Sequence, residues 1–153
     1  MTATATGNFT LTRAFGIAPA DLWPLLTDPE TRAGWSAPSD SDVLILESQD
    51  LREGGTERHR CGAAEAPDYK VETYWYRLDA PSLACFSETV DAGGMRIATS
   101  LVTYSLEATD GGCTLQVIVH VSSFVGDEAL ADFETGWISA LDRLRRLQRG
   151  QFN

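Results

Sequence analysis

Over residues 127–149 the apolar side chains fall at Leu130, Phe133, Trp137, Leu141, Leu144 and Leu147, at intervals of three, four, four, three and three. That spacing lines them up on one stripe of a long helix. Asp127 and Glu128 open the segment and Arg143, Arg145, Arg146 and Arg149 close it, the charge order that suits a helix dipole. Asp142 and Arg146, four apart, are expected to pair, and the basic end reads as a solvated face rather than a nucleic-acid contact. A helix with one apolar stripe must bury it against something else, so the rest of the chain has to supply a matching face.

That face is a sheet. Residues 9–15, FTLTRAF, alternate apolar and polar. Period two returns at residues 43–46, 56–61, 69–78, 83–90, 97–106 and 114–124. Gly54-Gly55, Asp79-Ala80-Pro81, Asp91-Ala92-Gly93-Gly94 and Thr109-Asp110-Gly111-Gly112 separate several of these runs, and the short glycine turns predict hairpins. Consecutive strands with short turns make an antiparallel meander. The closing helix is the one element expected to cover it.

Between the first strand and the meander lies a stretch that cannot run as one smooth helix, DLWPLLTDPETRAGW (21–35). Pro19 suits a first helical position, and Leu22, Trp23, Leu25 and Leu26 form an apolar face. Pro24 lies too deep for a first turn; it removes a bond to the Ala20 carbonyl and is expected to kink or split the helix. Asp28 caps a second short helix with Pro29 at its first position, and Gly34 ends it.

Length and charge narrow the function. A chain of 153 residues suits one domain, residues 1–153, with 1–7 expected to be flexible. The net charge is −10 and Lys70 is the only lysine, which disfavours nucleic acid and anionic membrane surfaces as partners. Cys61, Cys85 and Cys113 are odd in number and contain no Cys-x-x-Cys pair, against both a disulfide framework and a zinc knuckle. No signal peptide and no membrane-length apolar run is visible, so a cytoplasmic protein is expected. There is no nucleophile elbow, phosphate loop or dinucleotide fingerprint.

Four stretches in this order resemble a known family. APADLWPLLTDPETRAGW (18–35) is similar to an entry segment with a tryptophan helix, a threonine-aspartate-proline turn and a second tryptophan. LREGGTERHRCG (51–62) resembles a glycine-pair strand, RLDAPSLACF (77–86) a valine-aspartate-proline turn, and GWISALDRLRRLQ (136–148) a closing Gly-Trp helix. Together they resemble the START-like, or SRPBCC, superfamily, and within it the bacterial homologues of the activator of the heat-shock-protein-90 ATPase, C-terminal domain type. The resemblance implies an α+β helix-grip fold: a curved antiparallel sheet of about six to seven strands around a long C-terminal helix, with two short helices after strand 1. It implies a cavity between sheet and helix, with Trp23 in the core and Trp35 near the mouth. Pro24 departs from the family's usual residue.

Strand parity then selects candidate residues. In TERHRC, Glu57, His59 and Cys61 share one face and Thr56, Arg58 and Arg60 the other. The resemblance turns the first set toward the cavity. Same-face neighbours lie about 7 Å apart, so Glu57 and His59 are spaced to share a ligand or a water. They are a polar anchor or the weak candidates for a general base; the alternative is an edge strand whose side chains reach solvent at the cavity rim. Three alternating positions on one strand reach too far for one ion, so no metal is expected. Trp75 takes one face of its strand and Tyr74 and Tyr76 the other, with the inward one left open. The candidate ligand-binding residues are Trp35, Glu57, His59, Cys61, Trp75, Phe86, Tyr104, Phe133 and Trp137, with Glu88 and Met95 as further liners. Gly136 is expected to let the helix approach closely, and His120 has the parity of the outer face. The expected partner is a small hydrophobic or aromatic ligand, with no cofactor, and the chain a monomer or homodimer. A polyketide-cyclase-like enzyme using the same cavity and a chaperone ATPase regulator are the alternatives.

Overall fold

The computed structural model describes residues 4–150. Seven strands and three helices follow one another as β1 (Ala5–Phe15), α1 (Pro19–Thr27), α2 (Pro29–Arg32), β2 (Asp42–Ser48), β3 (Thr56–Ala63), β4 (Ala66–Asp79), β5 (Leu83–Ala92), β6 (Met95–Thr109), β7 (Gly112–Ser123) and α3 (Glu128–Gln148). The strands form one curved antiparallel sheet in the order β1-β7-β6-β5-β4-β3-β2. From β2 to β7 every strand pairs with its sequence neighbour, and β1 closes the far edge by pairing with β7. The meander and the helix-grip architecture expected from the period-two runs are therefore present.

Local chemistry explains the joints. Gly93 and Gly94 take φ of 59° and 77°, a two-residue turn that an L side chain resists at both positions, and Ala92 pairs with Met95 across it. A Cβ on Gly55 would sit 2.0 Å from the Asp50 carbonyl oxygen, so the chain before β3 can turn there only on glycine. β1 starts at Ala5, earlier than the alternation at Phe9 suggests. Ala5, Thr6 and Gly7 pair with Ser123, Ser122 and Val121, so part of the segment expected to be flexible is a ladder strand; residues 1–3 lie outside the described residues.

Helix α1 runs through Pro24 without splitting. Proline there costs one backbone bond in the second turn, while Leu22 and Leu26, four apart and fully buried, hold both sides of it to the core. The break falls at Asp28 instead, where φ −65° and ψ 119° leave the helical region. The Asp28 carboxylate caps α2 by accepting from the Thr31 amide at 3.3 Å and the Thr31 hydroxyl at 2.7 Å.

Trp35, expected near a cavity mouth, is the more deeply buried of the two tryptophans. Trp35 is fully buried, and its ring N–H donates to the Leu25 carbonyl at 2.8 Å, tying the end of α2 back to α1. Trp23 is half-buried at the edge of the core. Rotation along α1 decides this: Leu22 and Leu26 take the inward stripe and leave Trp23 flanking it.

Helix α3 rests chiefly on β1 and β7, so it does not cover the sheet alone. Leu141 and Leu144 are fully buried, whereas Leu130, Phe133 and Trp137 at its other end are only partly covered. Arg143, read from sequence as part of a solvated end, is buried. Its Nε donates to the Trp35 carbonyl at 3.0 Å, its Nη1 to Asp40 at 2.9 Å and Ser139 at 2.7 Å, and its Nη2 to the Ala37 carbonyl. Arg146 lies 3.6 Å from Asp40 rather than pairing with Asp142. One acidic loop residue thus gathers two helix cations. A Cβ on Gly136 would meet Pro38 at 3.7 Å, an ordinary contact, so the close approach expected there is not needed.

Candidate functional site

The inward residues of four neighbouring strands lie in direct register. Glu57 of β3 pairs with Thr73 of β4, Thr73 with Glu88 of β5, and Glu88 with Ser100 of β6. Because each is opposite the next on an antiparallel ladder, their side chains form one polar row across the concave face. The following inward row is aromatic: Trp75 of β4 pairs with Phe86 of β5. Trp75 meets Phe86 with ring centroids 4.9 Å apart, Phe86 meets Tyr104 at 5.2 Å, and Tyr104 meets Trp137 of α3 at 6.2 Å. Trp75 is therefore the inward residue of its strand, while Tyr74 and Tyr76 stack on each other outside, 39% and 56% exposed.

Arg32, the last residue of α2, is lowered onto this surface. Its guanidinium donates to Glu57 Oε1 at 2.5 Å, lies 3.9 Å from Glu88 Oε2, and sits over the rings of Trp75 and Phe86 at 5.4 and 5.7 Å. The other Glu57 oxygen accepts from the Trp75 indole N–H at 2.8 Å. Both members of this ion pair are buried, which satisfies two charges that would otherwise be costly to bring out of water. Glu57 is thus inside, and the solvent-rim reading of its strand does not hold for Glu57 or His59.

Several buried polar atoms here have no hydrogen-bond partner among the described residues: Arg32 Nε, His59 Nε2 and Thr73 Oγ1. His59 follows Glu57 on the same face and is held neutral, its pKa lowered to about 4 by burial first and by the Arg32 charge second. Glu88 has its carboxyl raised above the usual range, chiefly by burial, with Glu57 adding and Arg32 opposing. Burial raises the Tyr104 phenol as well. Cys61 is pushed up to about 11 by burial and by Asp42 and Glu88, so it is a thiol and not a nucleophile at neutral pH.

Of the residues proposed from sequence, the structure brings Glu57, Trp75, Phe86, Tyr104 and Trp137 into one connected set, with His59 beside them on β3. Phe133 lies four residues, about one turn, before Trp137 on α3. Trp35 is a packing residue, for the reasons given above. Met95 is 57% exposed and lines nothing, because it opens β6 next to the Gly93-Gly94 turn. His120 faces outward, as its parity required. Sequence reasoning missed Arg32, and with it Thr73 and Ser100 of the polar row. A glutamate on an inward strand position demands a cation, but nothing in the sequence says which of 12. Two surface recesses, about 410 and 660 Å3, lie at the hairpin ends around Lys70, Gly93 and Gly94, away from the concave face where a cavity was expected. Over that face the aromatic rings pack against one another. Among the described residues no helix is long and apolar enough to cross a membrane, and no group of three or more His, Cys, Asp or Glu is placed to hold a metal ion.

A long helix gripped by a curved seven-stranded antiparallel sheet is the START-like, helix-grip fold. Residues 17–148 match the profile of the Activator of Hsp90 ATPase homolog 1-like proteins, and the chain belongs to that family. Solved structures agree on the fold. An uncharacterised protein from Rhizobium leguminosarum superposes with a TM-score of 0.85 at 20% identity, covering 96% of this chain and 97% of that one. A protein from Rhizobium loti gives 0.80 at 21%, covering 94% and 97%. An AHSA1 protein from Silicibacter pomeroyi gives 0.78 at 22%, covering 95% and 99%. At these identities the likeness speaks for the fold alone. No curated protein matches the sequence significantly.

Proposed function

We propose that this protein binds a small, mostly hydrophobic molecule between the concave face of the sheet and α3, with the polar row at one end and the Phe86–Tyr104–Trp137 rings along its body. One observation carries the reading: the Thr73 hydroxyl, fully buried between two glutamates, has no partner among the described residues. A buried hydroxyl without a hydrogen bond costs about 1–3 kcal/mol, so such groups are retained mainly where something else completes them. Entry is supported on two sides. The Glu88 side chain keeps 24% exposure although it points to the concave face, and Phe133 and Trp137 are only partly covered. The reading is for binding rather than catalysis, since a histidine whose pKa is lowered to about 4 is a weak base at neutral pH, and among the described residues nothing orients its Nε2.

The test is to purify the protein without added ligand, denature it, and identify what it releases by mass spectrometry. A stoichiometric small molecule that is missing from the Glu57→Gln/His59→Ala variant is the expected result. An empty protein that also shows no thermal shift across a lipid and aromatic-metabolite panel would refute the reading. The family's name points instead to a chaperone ATPase, and in that event ATPase stimulation would be the next assay.

A further inference from the structure

The polar row also specifies the chemical class of the bound molecule, granted the binding reading above. We propose that its polar end is an amine, a hydrogen-bond-donating cation on an aromatic or aliphatic body, seated against Glu88 and Thr73.

Charge is the first ground. Arg32 is committed to Glu57 at 2.5 Å, and Glu88 lies farther away at 3.9 Å. The trio of one guanidinium and two carboxylates carries one uncompensated negative charge when both acids are ionised. His59 supplies no compensating charge, being held neutral. An ammonium group brings the cluster to neutrality, whereas a carboxylate ligand would place a third negative charge on a largely buried site. Burial makes Glu88 reluctant to ionise alone, which is the condition an incoming cation relieves.

Geometry is the second. Glu88 is the member of the trio whose side chain is reachable, 24% exposed against 3% and 0% for Arg32 and Glu57. Thr73 stands directly beside it in the ladder with its hydroxyl oxygen free to accept. Two acceptors side by side suit a donor head group, and the one cation beside them, Arg32, is already engaged by Glu57 and Glu88 and keeps only its Nε unpartnered. The aromatic rings that border the row present faces that attract an ammonium as well as an apolar body. The net charge of −10 acts in the same direction at long range by enriching cations near the protein.

The full-length chain is titrated calorimetrically with matched probes that differ only at the polar end: tryptamine, tryptophol and indole-3-acetate, then octylamine, octanol and octanoate. The amine of at least one set is expected to bind about tenfold to a hundredfold tighter than its matched acid, the range of one charge-assisted hydrogen bond. Glu88→Gln should remove that preference by weakening the amine far more than the alcohol. Thr73→Val, nearly isosteric, should weaken the amine several-fold and keeps the test available if Glu88→Gln does not fold. Tighter binding of the alcohol or the acid, or an amine preference indifferent to both substitutions, overturns the class assignment and leaves ligand binding intact. If none of the six probes binds and no small molecule co-purifies, the binding reading fails, and the class assignment falls with it.

Discussion

Removing either partner of the Arg32–Glu57 pair should destabilise the protein far more than removing both. The pair is buried, with side-chain exposures of 3% and 0%, and joins α2 to β3. Breaking one side of such a pair typically costs about 3–5 kcal/mol, because the other charge is stranded. The surroundings rank the two variants. In Glu57→Gln the amide oxygen still accepts from the Trp75 indole, and Glu88 at 3.9 Å offers Arg32 a second acid, so the loss should lie near about 3 kcal/mol. In Arg32→Met the Glu57 carboxylate keeps only the indole N–H, and Trp75 and Phe86 lose the cation on their faces, so the loss should lie nearer about 5 kcal/mol. The double variant leaves unpaired only Glu88, whose side chain keeps 24% exposure, and should cost about 2 kcal/mol or less, since replacing a whole buried pair by apolar or neutral groups is often near neutral. Urea unfolding followed by tryptophan fluorescence measures all four proteins. A thermal melt should show Glu57→Gln lowered by about 6–12 °C at the usual 2–4 °C per kcal/mol for this size. Single variants that each cost less than about 1 kcal/mol, or a double variant equal to the sum of the singles, would mean the pair behaves as an exposed one. The reasoning about the site would then be wrong.

His59 refuses a proton between its ordinary pKa of 6.5 and about 4, while the unfolded chain accepts one. Stability should therefore fall as pH drops through that window, by up to about 1.4 kcal/mol per unit from this group. Glu88, raised in the folded state, works in the opposite sense, so the measurement is the difference between wild type and His59→Gln; equal slopes for the two would refute the assignment. Arg143→Met should cost about 3 kcal/mol in urea unfolding, because the carbonyls of Trp35 and Ala37 and the Asp40 carboxylate lose their donor together. A cost below about 0.5 kcal/mol would show these bonds to be dispensable. Gly136→Ala should be neutral or stabilise by up to about 1 kcal/mol, the helix preference acting without a clash at Pro38. A clear loss of stability would show that α3 needs the closer approach.

Much of the fold was legible because it rests on periods. The stripe from Leu130 to Leu147 and the alternation in residues 114–124 specify a helix and a strand whatever surrounds them, since a 3.6-residue or two-residue repeat has only one geometry that gathers its apolar side chains. Turn chemistry was equally local: Gly93-Gly94 allows the positive φ that the hairpin needs. Parity carried part of the site, placing Glu57 and His59 on one face and separating Trp75 from its neighbouring tyrosines. Within each strand, then, the sequence determined which residues look the same way.

What only the tertiary structure decided is what those faces meet. Register between strands aligned Glu57, Thr73, Glu88 and Ser100 in one row, and register depends on bulges such as those between Trp75 and Arg77 and between Val90 and Asp91, which shift the pairing by single residues. The same is true of the two arginines that the charge pattern assigned to solvent or passed over. Arg32 finds Glu57 at a separation of 25 residues and Arg143 finds the Trp35 carbonyl at 108. A long flexible cation satisfies any acceptor within reach, so its partner is chosen by where the chain brings an unsatisfied oxygen, not by the residues beside it. Trp35 is buried more deeply than Trp23 for the same reason: both are large and apolar, and only the packing of α1 and α2 on the sheet selects which is covered completely.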